Sequence, residues 1–481
     1  MKKYLTYLNT LLLSLVIWSF FIKKGKIEHN IQTFEIPKQT QTIKIMDSLV
    51  EGKLDLHYNS FHDLGITYKS KKEDILGNSF LQLEWLWDKK PITKIIKWNL
   101  NKNEIDRNKP IMLTWKDDKG SIFVQTMQVV DDYIIRIECS VFNATDKQIE
   151  SNINVKSLLK EHFINYHSND KVYNTKKSFD QNCEWFGFSS KFSGLFIFPE
   201  NIRVKLKNSN GYVYGDLGTK IIKPKESAAW SFNLFMGPKD INLLQNYAAK
   251  YNAPQLENAI SYGYFSFITK PFMKFFDYLN QITGNFIVAL IIFTLMTKLL
   301  LLPFDYKSHI SAVKLQKIQP QLERIREIYK GNNVAIHSAT LALYKQESIN
   351  PLGGCLPFLF QIPILEPLYH VFSGSLAAKY SSFLWIKDLS QPDQMSIIKM
   401  LFNMNFPFDV SLLSILFSIT MLLQMGTTLK KDQKQTAIMM SIAFAFFTSS
   451  SSSGFLIYVI ISNLISYMQR MVFNIIIKNN K

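Results

Sequence analysis

The stretch FIVALIIFTLMTKLLLLPF, Phe286 to Phe304, carries a single charge, Lys298, in an otherwise apolar run. As a helix rising about 1.5 Å per residue it would span roughly 28 Å, close to the roughly 30 Å hydrocarbon core of a bilayer. A cation near the middle of such a span costs roughly 2.5–3.5 kcal/mol on insertion scales, so it ordinarily faces a bundle interior or a wet cavity. Lys298 also lies five residues before Pro303, about 7 Å from the end of the run, and its stem could snorkel that far. Spacing alone leaves both readings open.

Similar apolar runs occur at Tyr4 to Ile22, Leu356 to Phe372, Val410 to Met425, Ala437 to Phe447 and Phe455 to Tyr467. The pattern predicts an α-helical polytopic membrane protein of six spans. Residues 1–22 follow Lys2 and Lys3, end at Lys23, Lys24 and Lys26, and lack a small-x-small cleavage site, so they read as an uncleaved signal anchor. Orientation comes from the later loops. Residues 305–347 carry Lys307, Lys314, Lys317, Arg324, Arg326, Lys330 and Lys345 against four acids, and Lys430, Lys431 and Lys434 mark a second basic loop. Arg470, Lys478 and Lys481 mark the tail, so the positive-inside rule places these loops and the C-terminus in the cytoplasm, and an even number of spans then puts the N-terminus inside and residues 23–280 outside.

Between the first two spans, residues 23–245 read as strands. Ile135, Ile137, Cys139 and Val141 alternate with Arg136, Glu138 and Ser140, and Val204 and Leu206 alternate with Lys205 and Lys207. Trp230, Phe232 and Leu234 repeat the pattern, with Gly237 and Pro238 expected to end that strand. The implied domain is an exported antiparallel β-sandwich. Residues 246–283 read as a linker and an amphipathic helix at the outer membrane surface, with Phe272, Phe275, Phe276 and Leu279 at helical spacing. The rest, 284–481, is the membrane core. Within it, residues 305–349 read as two helices joined at Gly331, Asn332 and Asn333, packing as a hairpin through Ile318, Leu322, Ile325 and Leu343, with Pro320 bending the first arm.

The net charge of +17 is spread along 481 residues rather than gathered in one aromatic-laced patch, which argues against direct nucleic-acid binding. Cys139 and Cys183 both fall in the exported segment, where a disulfide is permitted but not required. Neither a phosphate-binding glycine loop nor a nucleophile elbow is present, so nucleotide-driven transport and serine hydrolysis lack support. The five-residue spacing of His57 with His62, and of His162 with His167, suits no metal site. No catalytic residue and no cofactor are expected. The polar atoms inside the spans are more informative. Thr294 stands four residues before Lys298 on one helix face. Tyr458, Ser462 and Ser466 recur at fours on the last span. Ser411, Ser414 and Ser418 form a second stripe on the fourth span, with Thr420 and Gln424 opposite. Gln361 would lie at the depth of Lys298, and Glu366 and His370, four apart, could pair.

The stretch LALYKQESINPLGGCLPFLFQIPILEPLYHVF, Leu341 to Phe372, resembles the YidC-type membrane protein insertases of the Oxa family, and the Asn-Pro-Leu-Gly-Gly-Cys run at 350–355 carries most of the resemblance. It extends to Tyr262–Lys274, the second span, Ser382–Ser390, Gly454–Asn463 and, upstream, Phe235–Lys239. The resemblance implies a five-helix core around a hydrophilic groove open to cytoplasm and lipid. Thr294 and Lys298 fall where the family has a threonine and an arginine, Tyr458 at a groove-side tyrosine and Gln361 in a Gln-x-Pro segment. Lysine replaces the arginine, losing a planar fork but keeping the charge. Glu366 stands where the family is generally apolar, Val459 replaces an aromatic residue, and the segment after Gln469 is short, without the long basic ribosome-binding extension of some relatives.

The expected function is insertion and folding of nascent inner-membrane proteins through a groove lined by Lys298, Thr294, Gln361, Tyr458 and Ser462. The implied partners are nascent membrane proteins, the bilayer, the Sec translocase, and the ribosome or targeting factors at the cytoplasmic loops. The rival readings are a proton-coupled small-molecule transporter, suggested by Lys298, Glu366 and His370, and a scaffold that only holds partners. Internal repeats would favour a transporter, and none is evident.

Overall fold

The computed structural model describes residues 42–479 apart from 57–58, 69–70, 75–80, 93–98, 101–103, 106, 108–109, 159–162, 176–178, 201, 210–211, 348–355, 396–409 and 427–430. The predicted signal anchor, residues 1–22, lies outside them. The chain divides between Ser261 and Tyr262 into two compact units.

The first unit is built on two sheets of twelve and nine described strands. Strand Ile134–Phe142 shows why they form. Ile135, Ile137, Cys139 and Val141 are buried while Arg136, Glu138 and Ser140 between them face outward, and the strand pairs antiparallel with Ile122–Asp131 on one side and Ser227–Pro238 on the other. The two sheets meet through large rings. Trp85 of the larger sheet packs edge-on against Phe123 and Trp230 of the smaller, with centroids 5.4 and 6.4 Å away. Asn59 donates across the same core to Gln125 Oε1 at 2.9 Å. These contacts make the unit a sandwich.

Gly237 and Pro238 are the last two residues of their strand, where they pair with Gly194 and Ser193. Glycine is needed opposite glycine because a Cβ at Gly194 or Gly237 would lie 2.5 Å from the ring of Phe196 or Phe235. The unit also extends past residue 245, where the linker was expected. Helix α1, Ile241–Lys250, returns onto the sheet edge, with the Tyr247 hydroxyl donating to Asp132 O and Lys250 paired with Asp131. Trp185 Nε1 then donates to Pro254 O at 2.8 Å. Cys139 and Cys183 are both free and buried. Burial pushes the Cys139 thiol well above its ordinary range and the Cys183 thiol up to about 12, so neither carries appreciable thiolate at neutral pH.

The second unit is helical: α2 Ser266–Thr283, α3 Phe286–Ile328, α4 Asn333–Gln346, α5 Leu356–Gly374, α6 Leu376–Lys379, α7 Leu412–Gly426, α8 Lys431–Thr448 and α9 Ser453–Asn479. Gly284, at φ 61°, reverses the chain after α2, and Asn285 caps α3 by accepting from the amides of Ile287 and Val288 at 2.9 and 3.3 Å. This tight turn folds α2 back onto α3 and α5. Phe276 is fully buried, with ring centroids 5.0 Å from Phe286, 5.8 Å from Phe293 and 5.1 Å from Phe372. Its neighbours Phe272 and Phe275 also meet Phe293. The other side of α2 exposes Tyr264 just before it and Phe267, Tyr278 and Ile282 along it.

Helix α3 is a single helix of 43 residues with Pro303 and Pro320 inside it, whereas the sequence suggested a span ending near Leu302 and a separate arm from residue 305. Each proline removes one backbone donor, but the hydrogen bonds on either side carry the helix through. Its far half packs against α4 through Ile318, Leu322 and Leu343, supported by Leu315, Ile325 and Tyr344.

By length and composition, two of the described helices could cross a bilayer, α3 and the Ser453–Ile477 part of α9; α7 and the Ala437–Thr448 part of α8 are apolar but shorter. The outward faces support that reading for α3. Leu299 and Leu300 are 70% and 71% exposed, and Leu295, Met296 and Phe304 lie on the same open surface. Such a contiguous apolar face is costly in water and natural in lipid.

One ion-pair network in the β unit gives a pH-dependent prediction. Arg107 donates to Asp47 at 2.8 and 3.1 Å and to Asp132 at 2.6 Å. Burial, the largest single influence, would raise the Asp47 carboxyl, but the bond and charge of Arg107 together with the backbone amides of Leu49 and Ser48 outweigh it and hold Asp47 below the usual carboxylate range. A lowered carboxylate contributes stability above its unfolded value of 3.8, and that contribution is lost as pH falls through the folded value. Arg107→Ala is expected to lower the stability of this unit at pH 7 by about 1 kcal/mol, a modest figure because the guanidinium is partly exposed and screened. The difference from wild type should shrink at pH 3 and below, measured by thermal melting followed through tryptophan fluorescence in detergent.

Candidate functional site

Lys298 sits in the first half of α3 and is only 8% exposed. Its ammonium donates to Ser466 Oγ of α9 at 2.7 Å in a buried contact. The side chain therefore turns into the helix pair and does not snorkel. Lys298 lies twelve residues after the start of α3 and Ser466 thirteen after the start of α9. The two helices run side by side in the same direction with these residues at one depth.

The same seam carries further polar pairs in both directions. Tyr458, 4% exposed, shares side-chain hydrogen bonds with Thr297 of α3 and Ser462 of its own helix, while its ring packs 5.5 Å from that of Phe372 on α5. Beyond Lys298 come Asp305 and Arg470, which act on each other and on Lys298 electrostatically. His309 Nε2 then meets Asn474 Oδ1 at 2.9 Å. Residues 458, 462, 466, 470 and 474 recur every fourth position along α9, and 294, 298, 305 and 309 repeat at four, seven and four along α3. Both series follow helical periodicity, so each marks one face.

The seam extends to a third helix. Asn463 Nδ2 donates to Thr420 Oγ1 of α7 at 3.3 Å, and Arg470 Nη1 donates to Gln424 O at 2.8 Å. On the other side of α7, Ser418 Oγ donates to Ser441 O of α8 at 2.8 Å. The two polar faces of α7 thus face different neighbours: Thr420 and Gln424 meet α9, Ser418 meets α8, and Ser411 and Ser414 bond each other at 2.8 Å. The starts of α7 and α9 are held together by the preceding loop. Asp393 accepts from Leu413 N at 3.1 Å and from Trp385 Nε1 at 3.0 Å, and Gly454 N donates to Leu389 O at 2.7 Å.

Of the residues singled out from sequence, Lys298, Thr294, Tyr458 and Ser462 all lie buried along this seam. Thr294 shares the face of Lys298, but its hydroxyl donates to Leu290 O at 2.6 Å, a bond within its own helix, instead of lying free beside the ammonium. Gln361 falls within α5, and its side chain lies outside the described residues. Glu366 and His370 pair at 3.2 Å, away from the seam. Sequence reading missed Asp305, Arg470 and Asn474. Continuing the fourfold spacing of Tyr458, Ser462 and Ser466 for two more steps would have reached Arg470 and Asn474, and continuing the Lys298 face would have reached Asp305.

These features define a class: a polytopic membrane protein whose helices share a buried polar seam that includes Lys298 and Arg470, joined to a large β-sandwich unit. A family described as the 60Kd inner membrane protein matches residues 278–480, and one described as the YidC periplasmic domain matches residues 157–275. The membrane protein insertase YidC of Rickettsia massiliae (strain Mtu5) is 29% identical over 495 aligned residues, covering 91% of this chain and 88% of that protein. That of Rickettsia bellii (strain OSU 85-389) is 27% identical with the same coverage. A solved YidC insertase with its first transmembrane domain resolved aligns over 91% of this chain and 94% of that one, at 18% identity and a TM-score of 0.42. The chain belongs to the YidC family of membrane protein insertases.

The central contact is testable by a double-mutant cycle. Ser466→Ala should destabilise the helical unit by about 1.5–3 kcal/mol, the usual worth of a hydrogen bond to a charged group. In a Lys298→Met background the same change should cost little, because no buried ammonium is left without an acceptor. Equal effects in both backgrounds, measured by denaturant unfolding in detergent, would remove the bond from the account.

Proposed function

We propose that this chain carries out the membrane protein insertion of its family along the α3–α9 seam, with Lys298 as the cation that receives the hydrophilic flank of a nascent protein. The observation that carries this reading is the buried bond from Lys298 to Ser466. Serine satisfies a hydrogen bond of the ammonium without neutralising its charge. The remaining field in a low-dielectric surround attracts acidic residues of a passing segment. Thr294, Gln361, Tyr458 and Ser462 complete the proposed lining. Their hydroxyl and amide groups offer hydrogen bonds to a flank that would otherwise cross hydrocarbon unsolvated. The apolar part of the substrate partitions into lipid along exposed faces such as that of α3, driven by its own transfer free energy. Neither a nucleotide nor a covalent step is needed.

The remaining expectations belong to this proposal. Six spans enclose a five-helix core, residues 23–280 face the periplasm and both termini face the cytoplasm, as the basic loops require. Helix α2 lies at the outer interface, its Phe276 side packed inward and its Tyr278 side toward headgroups. The basic α3–α4 hairpin meets the ribosome or targeting factors, and insertion proceeds alone or with the Sec translocase. The transporter reading loses support because Lys298 is engaged with Ser466 while Glu366 and His370 engage each other elsewhere.

Purified protein in liposomes, offered a short single-span substrate, should protect that substrate from added protease. Lys298→Ala should slow insertion about three- to tenfold for substrates with acidic residues in the translocated flank, and less for uncharged flanks. Lys298→Arg should retain the activity. Unchanged insertion of every substrate by Lys298→Ala would remove the charge from the mechanism, and solute flux without protected substrate would favour a transporter.

A further inference from the structure

Outside the seam, one side-chain cluster engages a backbone segment with unusual closeness. Glu366 of α5 is 13% exposed, and its Oε1 accepts from the backbone amide of Tyr264 at 2.7 Å and lies 3.2 Å from His370 Nε2, one turn further along the same helix. Tyr264 belongs to the segment that leads into α2. That helix starts at Ser266 after Phe265, which offers no side-chain cap, so its entrance has no cap of its own. The approach depends on Gly263. It adopts φ 74°, and a Cβ there would fall 2.0 Å from Glu366 Oε1 and 2.4 Å from His370 Nε2. The neighbouring Tyr262 is buried and lies under the ammonium of Lys270, 5.0 Å from its ring centroid. On the far side, Tyr369 sits 5.6 Å from His370 and 5.6 Å from Phe455 of α9.

We propose that Glu366 and His370 form a latch that fixes the entrance of α2 onto α5, and that Glu366 is a positioning residue for insertion. The Tyr264 amide donates to one carboxylate oxygen, the His370 imidazole lies 3.2 Å from the same oxygen, and Gly263 is the residue that lets the backbone reach it. The Phe276 cluster holds the middle of α2 through non-directional apolar contact, which tolerates sliding. The latch adds a directional bond at its first turn. Together they hold α2 and α5 as one body, so that α5, with Gln361 near its other end, keeps its place beside the seam while a substrate passes. Glu366 need not be charged to do this. An amide oxygen at the same position accepts the same bond from the Tyr264 amide, whereas an aliphatic side chain accepts none.

The proposal rests on the insertase reading, so its test separates the two. Hydrogen exchange of full-length protein in nanodiscs reports the latch directly, and liposome insertion of a single-span substrate reports function. Glu366→Leu should speed exchange of the Tyr264 amide about tenfold or more and slow insertion about threefold or more. Glu366→Gln should restore both to near the wild-type values. Gly263→Ala should match Glu366→Leu, and combining the two should add little, because both break one contact. Loss of amide protection in Glu366→Leu with wild-type insertion would overturn the positioning role. A Glu366→Gln variant as defective as Glu366→Leu would overturn the hydrogen-bond latch in favour of the charge. Failure of the wild type itself to insert substrate would instead count against the insertase reading.

Discussion

A lysine ammonium held inside a membrane helix pair must find an oxygen, and the bond from Lys298 to Ser466 is where the helical unit meets that requirement. The demand fixes more than one contact. It sets the rotation of α3 so that Lys298 faces α9, and it sets their relative height so that Ser466 lies opposite. Once that register holds, Tyr458 reaches Thr297, and His309 reaches Asn474. Helix α7 joins through Asn463 and Arg470. Helix α5 joins through Phe372, whose ring touches both Tyr458 and the Phe276 cluster.

The polar seam and the aromatic cluster supply different kinds of order. The rings of Phe276, Phe286, Phe293 and Phe372 hold α2, α3 and α5 together by area and shape, which is forgiving of small shifts. The seam is directional and specifies one alignment among many that lipid-facing apolar helices could otherwise adopt. An insertase needs both properties. In the proposed mechanism its outward faces let a substrate leave along them and its polar face survives in hydrocarbon. The bond from Lys298 to the neutral Ser466 hydroxyl orders the helices, while Asp305 and Arg470 act on the ammonium from further along the seam.

Much of this was legible in the primary structure, and the failures have identifiable causes. The alternation around Ile135 to Val141 announced a strand with one inward face, and that strand lies near the centre of its sheet. Gly237 and Pro238 close the Ser227–Pro238 strand, as glycine and proline commonly do, and Gly237 and Gly194 opposite it each make room for a ring of their own strand. Proline commonly ends or bends a helix, so the sequence suggests a break at Pro303 and a separate arm from Asp305, which hides Asp305 from the seam. The Tyr458, Ser462, Ser466 series as read stops one step short of Arg470. At Pro303 the local rule yields to the helical hydrogen bonding on either side.

The amino-acid sequence by itself determined that Phe286 to Phe304 is a membrane-length apolar helix with one cation, that hydroxyls recur every fourth residue on the last helix, and that a strand-rich unit precedes the core. These follow from local periodicity and from the cost of polar groups in hydrocarbon, both of which are written into short windows. Which oxygen takes the lysine was decided only by tertiary structure. Thr294, the neighbour in sequence, bonds its own backbone, while Ser466, 168 residues away, accepts from the ammonium. Thr294 donates its one proton to Leu290 O and keeps its lone pairs, so local chemistry does not choose between it and Ser466; the packing of α3 on α9 does, by bringing Ser466 within reach of the ammonium.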